Sequence, residues 1–128
     1  MSTVGPIQLD ILSAAEVVEE AGATSLPAFS KSTIARAVES AGDRFNKDWS
    51  TGGRALTKKL GQNAPAFRGI APTTENAQGI VDNILSHPVK TVFGDYTYDA
   101  YNSLGQGARF DIGTNRFVGF LDRGRATR

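Results

Sequence analysis

The period of the hydrophobic pattern changes at His87-Pro88, and this change limits the folds open to the chain. Before it, residues 73–86 place apolar side chains at helical spacing, after a threonine that can cap a helix. The residue before a proline leaves the α region, so the helix should end here. After it, four runs alternate with period two: KTVFG, YTYDAY, GARFDI and RFVGFLD. The pattern predicts an α+β fold in which a helix packs on a four-stranded antiparallel sheet.

The N-terminal half of the sequence predicts further helices before that unit. Residues 7–21 carry apolar side chains at helical spacing, a second helix should run from Ser30 or Ser32 to about Phe45, and a third should cover 53–60. Residues 61–73 contain two prolines and several small residues, which favours a linker or surface loop. We therefore divide the chain into a helical region, residues 1–70, and a helix-plus-sheet core, residues 71–128.

Composition excludes several classes of chemistry. The chain has no cysteine and one histidine, so it has no disulfide, no zinc–thiolate site and no thiol nucleophile. Carboxylates are not clustered, and we expect neither a metal site nor a cofactor. Because no apolar run approaches 18 residues, we expect no stable membrane insertion.

Charge is distributed unevenly along the chain. Residues 1–29 hold four acidic and no basic residues, whereas residues 30–70 hold eight basic and three acidic residues. Arg109–Arg128 contains five arginines and two aspartates. A basic middle and an arginine-rich end suggest a polyanionic partner, although ordinary solvated surface charge explains the same counts.

The stretch GARFDIGTNRFVGFL, residues 107–121, sorts its side chains by alternation. One face of the sheet should carry Phe110, Phe117 and Leu121 beneath the Ile80/Ile84 side of the helix. The opposite face, called the outer face below, should carry Arg109, Asp111, Arg116 and either Tyr96 or Tyr98. Arginines set among aromatic side chains are typical of a surface that binds RNA.

The residue types on this face suit metal-free RNA cleavage, which needs a base, an acid and cations around the phosphate. Histidine is the side chain that ordinarily titrates near neutrality. We predict His87, Arg109, Asp111 and Tyr98 as catalytic residues, and Lys90, Thr114 and Arg116 as RNA or phosphate ligands. The alternatives are structural: a histidine that ends a helix, a tyrosine that packs, and an Arg109 paired across strands with Asp111 or Asp99.

The same region resembles a known family. Gly105, Gly107, residues 108–111, Phe117 and residues 119–121 match the pattern GRGVRFD..G.F.GFLEP, which ends many C-terminal toxin domains of bacterial polymorphic toxins. Contact-dependent growth inhibition effectors and Rhs-type toxins belong to this group. The resemblance covers residues 74–122, and Asp122-Arg123 replaces the acidic-Pro ending.

The resemblance implies a barnase/EndoU/colicin/RelE-type fold that cleaves RNA, often transfer RNA, on the outer face without a metal. Such a domain is secreted or delivered from the cell surface, acts in the cytoplasm of the target cell, and is neutralised by a cognate immunity protein. Residues 1–70 would then be an entry or delivery part, or supporting helices. Two alternatives remain open: a non-enzymatic RNA- or protein-binding module, and another toxin activity such as a nucleotide-directed transferase.

Overall fold

The computed structural model describes residues 17–18 and 26–122. Within them, three α-helices precede the four predicted antiparallel strands, and a two-residue strand before the helices joins the edge of that sheet, which confirms the α+β prediction. The helices are α1 (Lys31–Ala41), α2 (Thr51–Gly61) and α3 (Thr74–Ser86). The strands are β1 (Val17–Val18), β2 (Lys90–Phe93), β3 (Thr97–Tyr101), β4 (Gln106–Asp111) and β5 (Phe117–Asp122).

Each helix begins at a hydroxyl side chain that satisfies a free backbone N–H of the first turn. Ser30 and Ser50 accept from Thr33 N and Gly53 N, and Thr73 accepts from Asn76 N. Helix α3 ends at His87, as the following proline predicts. Helix α1 ends at Ala41 rather than near Phe45, because the chain tightens into a turn there.

The sheet is an antiparallel meander with the strand order β1-β2-β3-β4-β5. Strand β1 pairs Val17 with Val92 and Val18 with Thr91 at the edge of the four predicted strands. The helix predicted over residues 7–21 is therefore wrong at these two residues. Valine fits an extended strand well, and pairing satisfies the exposed edge of β2. The other residues of that predicted helix lie outside the described residues.

Helix α3 carries the predicted core face. Five of its side chains are buried: Ala77, Ile80, Val81, Ile84 and Leu85. They pack with a group of aromatic rings on the inner face of the sheet, where Phe110 is fully buried and Phe117 is 3% exposed. The ring of Phe117 lies 6.1 Å from that of Phe110 and 4.8 Å from that of Phe120, measured between centroids. Phe110 and Phe117 therefore lie on the inner face of the sheet, as predicted.

Leu121 does not lie on the inner face, and Phe120 takes its place. The ladder between β4 and β5 pairs Phe110 with Phe117 but Arg109 with Gly119, so Val118 is an extra residue without an opposite partner. One extra residue reverses the alternation along a strand. Phe120 therefore turns into the core at 4% exposure, and Leu121 faces outward.

The predicted linker contributes to the core. Residues Pro65–Phe67 form a 3₁₀ turn, and the Phe67 ring is fully buried with its centroid 5.3 Å from that of Phe120. Asp122 Oδ2 accepts from Ala66 N at 3.1 Å, and Gln106 Nε2 donates to Ala66 O at 3.0 Å. The prediction of a linker or surface loop thus fails at Phe67, and one core includes side chains from both sides of residue 70.

Candidate functional site

The outer face, turned away from the three described helices, carries the charged residues of β2, β3 and β4. Residues that lie opposite one another on neighbouring strands form rows across this face. The first row consists of Lys90 on β2, Tyr101 on β3 and Gly107 on β4. The next row places Asp99 beside Arg109. Thr97 and Asp111 form a third row, and Val92 completes the second on β2.

Arg109 and Asp99 form a two-pronged ion pair across β4 and β3. The distances are 2.8 Å from Nε to Oδ1 and 3.0 Å from Nη2 to Oδ2. This is the planar fork that arginine offers to a carboxylate or a phosphate. The hydrogen bond that Arg109 donates to Asp99 raises the pKa of Arg109, so the guanidinium keeps its positive charge. The structural alternative for Arg109, a pairing across strands, is therefore present, and its partner is Asp99.

Tyr101 lies on the same face, flat against the backbone of Gly107. A Cβ at Gly107 would come within 2.4 Å of the Tyr101 ring, so only glycine leaves room for it. Lys90 Nζ lies 6.0 Å from the ring centroid. Desolvation by burial raises the pKa of Tyr101 to about 12, the Asp99 charge adds to the rise, and Arg109 opposes it. Its hydroxyl therefore stays protonated at neutral pH.

This raised pKa predicts alkaline destabilisation. The unfolded tyrosine ionises near its ordinary value of 10.0, whereas folded Tyr101 ionises at about 12. The resulting stabilisation is complete below pH 10 and is lost as the pH rises from about 10 to about 12. Thermal melts between pH 9 and 12 should fall less steeply for Tyr101→Phe than for the wild type. Parallel curves would contradict the burial of this hydroxyl.

Tyr98, predicted as a catalytic residue, lies in the core and not on the outer face. It pairs with Phe110, so strand alternation turns both rings inward, and their centroids are 5.2 Å apart. Tyr98 is 2% exposed, and its hydroxyl donates to Asn115 Oδ1 at 2.9 Å. Burial raises the pKa of Tyr98 strongly. The structure gives Tyr98 a packing role and one satisfied hydrogen bond.

The predicted ligands Thr114 and Arg116 lie in the turn after β4. Thr114 Oγ1 accepts from Arg116 N at 3.3 Å, and the Arg116 guanidinium pairs with Asp43 at 3.2 Å, just beyond α1. The prediction that Arg116 lies on the outer face is therefore wrong. The nearby Phe117 N–H donates to Ser40 Oγ at 2.8 Å, which ties this end of β5 to α1.

The remaining predicted residues are spread along the sheet. Asp111 lies on β4 four residues, or about 13 Å, beyond Gly107, which is the β4 residue in the same row as Lys90. His87 is exposed at the end of α3, three residues before Lys90. The structure therefore places Lys90 and Arg109 in adjacent rows of the outer face. It does not gather His87, Asp111 and Tyr98 into one cluster.

Asp99 and Tyr101 complete the outer face and were not among the predicted site residues. Alternation along TYDAY already places both on one face. The missing information was the strand register, which sets Asp99 opposite Arg109 and Tyr101 opposite Gly107. Register depends on the turns and on packing of the whole sheet, so the local pattern left this partner undecided.

Two further features bear on the kind of site. Among the described residues, no three histidine, cysteine or acidic side chains come together as a set able to hold a metal ion. In the same part of the chain, no helix has the length and apolarity to cross a membrane.

Comparisons with models of protein families, with curated proteins and with solved structures found no match for this chain.

Proposed function

We propose that the chain is a metal-independent ribonuclease domain whose reaction takes place on the outer face. The observation that carries the proposal is the Arg109–Asp99 pair, which sets an exposed guanidinium beside a carboxylate in the row next to Lys90 and Tyr101. RNA cleavage by its own 2′-hydroxyl needs a proton acceptor and cations around one phosphate. This small area holds both.

The chemistry would proceed by transfer within the RNA strand. The 2′-oxygen attacks the adjacent phosphorus and gives up its proton, and the bond to the 5′-oxygen breaks as that oxygen takes a proton. The products are a 2′,3′-cyclic phosphate and a 5′-hydroxyl. In our proposal the Asp99 carboxylate accepts the first proton, while Arg109 and Lys90 hold the phosphate oxygens. His87, exposed at the end of α3, supplies the second proton.

The biological setting follows from the sequence resemblance and is part of the proposal. The domain would be an antibacterial toxin, secreted or delivered from the surface of its producer and active in the cytoplasm of the target cell. Transfer RNA is the proposed substrate, and a cognate immunity protein is the proposed partner. The support is the stretch from Gly105 to Leu121, which forms β4, its turn and most of β5.

The decisive experiment is RNA sizing. Purified protein is incubated with total bacterial RNA in excess EDTA, and RNA from cells that express the protein is sized in parallel. We expect discrete transfer-RNA fragments with cyclic phosphate ends in both samples. Loss of cleavage in EDTA with rescue by one divalent ion would contradict the metal-free mechanism. Intact RNA in both samples would reject the ribonuclease.

A non-enzymatic RNA-binding module is the second candidate. It is favoured by the separation of His87, Tyr98 and Asp111, since a catalytic site needs its groups within reach of one phosphate. Binding of intact RNA without fragments in the same experiment would identify this function.

A further inference from the structure

A groove runs between α2 and β5, the strand that ends the described sheet. It encloses about 150 Å³, and its walls include Phe45, Arg54, Lys58 and Lys59 on one side and Val118 and Gly119 on the other. The proposed function uses none of these residues. The groove lies on the helical side of β5.

Among the described residues that line this groove, the charged side chains are cations: Arg54, Lys58 and Lys59. Lys58 and Arg54 are exposed to solvent. On the outer face, by contrast, Arg109 is matched by Asp99, and Lys90 shares the sheet with Asp111. Among the described residues, Arg54 and Lys58 therefore give the groove a positive surface that would attract a polyanion.

The groove also offers apolar and aromatic surface. The Arg54 guanidinium lies 4.4 Å from the centroid of the Phe45 ring, and that residue is 49% exposed. Val118, the extra residue of the bulge, is also 49% exposed. An exposed ring beside cations suits a strand whose bases stack while its phosphates are neutralised.

The groove adjoins the proposed reaction site. Gly119 lies on the wall of the groove and also pairs with Arg109 across β4 and β5. A Cβ at Gly119 would meet no atom within 4 Å, so the surface between the two places is unobstructed there. Neighbouring strands are about 5 Å apart, so one flexible chain with repeated negative charges can reach both.

We propose that the groove binds the backbone of single-stranded RNA next to the phosphate held at Arg109. Arg54 and Lys58 contact successive phosphates, and Phe45 stacks on a base. This inference deepens the proposed function, because it names the surface by which the same chain would hold its substrate. A protein with an acidic surface is the competing occupant, but it would not need the half-exposed ring beside the cations.

The test measures binding without cleavage. The probe is a fluorescent 12-nucleotide oligouridine with 2′-O-methyl groups, which lacks the nucleophile and cannot be cleaved. The double variant Arg54→Gln/Lys58→Gln should bind at least about tenfold more weakly than the wild type. The slope of log K against log salt concentration should fall by about 1.4, since each lost contact to a single strand removes about 0.7.

The matched control is Lys31→Gln/Arg36→Gln, which removes two exposed cations from α1. It should keep the wild-type affinity and slope, and thermal melts check that every variant is folded. If the double variant does not fold, Lys58→Gln alone should lower the slope by about 0.7. Equal affinity and slope for the groove variant and the control would overturn the proposal.

Two comparisons separate the possible failures. Poly-glutamate that displaces the RNA as efficiently as unlabelled oligouridine would assign the groove to an acidic protein and overturn the RNA proposal. Wild-type binding that depends on Arg54 and Lys58 would support the groove even if RNA sizing detects no cleavage. In that case only the catalytic part of the proposed function would fail.

Discussion

Phe67→Ala should destabilise the protein by about 3–5 kcal/mol, as expected when a fully buried phenylalanine is removed from a core. Phe67 is 0% exposed, and its ring contacts Phe120 between the helices and the sheet. The substitution leaves a cavity where the 3₁₀ turn packs on α2 and β5, and nearby backbone is held there by Asp122 and Gln106. Urea unfolding followed by circular dichroism measures the change.

Phe45→Ala is the matched control for this prediction. Its ring is 49% exposed and touches the Arg54 guanidinium, so the loss should be about 1 kcal/mol. Similar losses for the two variants would mean that Phe67 does not belong to the core. A second unfolding transition in the wild type would show that residues before and after position 70 unfold separately.

Arg109→Ala should lower the rate of RNA cleavage by about 100- to 1000-fold, the usual cost of removing one preorganised group that stabilises transition-state charge. The variant loses the guanidinium, whose Nε and Nη2 hold Asp99 and whose remaining N–H groups would contact the phosphate, and it leaves Asp99 without its described partner. Arg109→Lys keeps the charge but not the planar geometry, so its rate should lie between those of the wild type and the alanine variant. Single-turnover cleavage of transfer RNA measures all three rates.

Asp99→Asn and His87→Ala separate the proposed proton-transfer roles in the same assay. Loss of activity in Asp99→Asn with an unchanged melting temperature would support the carboxylate as the base. Arg36→Ala removes an exposed arginine from α1 and should cleave at the wild-type rate. If Arg109→Ala also cleaves at that rate, the reaction does not take place on the outer face.

Helix α3 and the four strands after it could be predicted because their signals are local. A capping threonine, apolar side chains at helical spacing and a proline bound the helix on one stretch of chain. Alternation then marks the strands and turns Phe110 inward opposite Arg109. The sequence therefore predicted that Arg109 lies on the outer face, because β4 alternates regularly up to that residue.

The carboxylate partner and the groove could not be found in this way. Asp99 becomes the partner of Arg109 only through the register of β3 against β4. Phe45, in the loop before α2, and Val118 of β5 line the same groove although they are far apart in sequence. Contacts of this kind depend on how elements pack, and no pattern within one element records them.

The sequence by itself determined the order of the three described helices and the four strands after them, and the side of β4 that carries Arg109, because caps, periods and proline act on neighbouring residues. Only the tertiary structure decided that Val118 bulges and turns Phe120 inward, that Phe67 fills the core, and that Arg116 pairs with Asp43. Burial of an aromatic ring is worth more than the local preference of a Pro- and Gly-rich segment for a surface loop. The core therefore drew residues 64–67 inward, and the final strand adopted the register that buries its two phenylalanines.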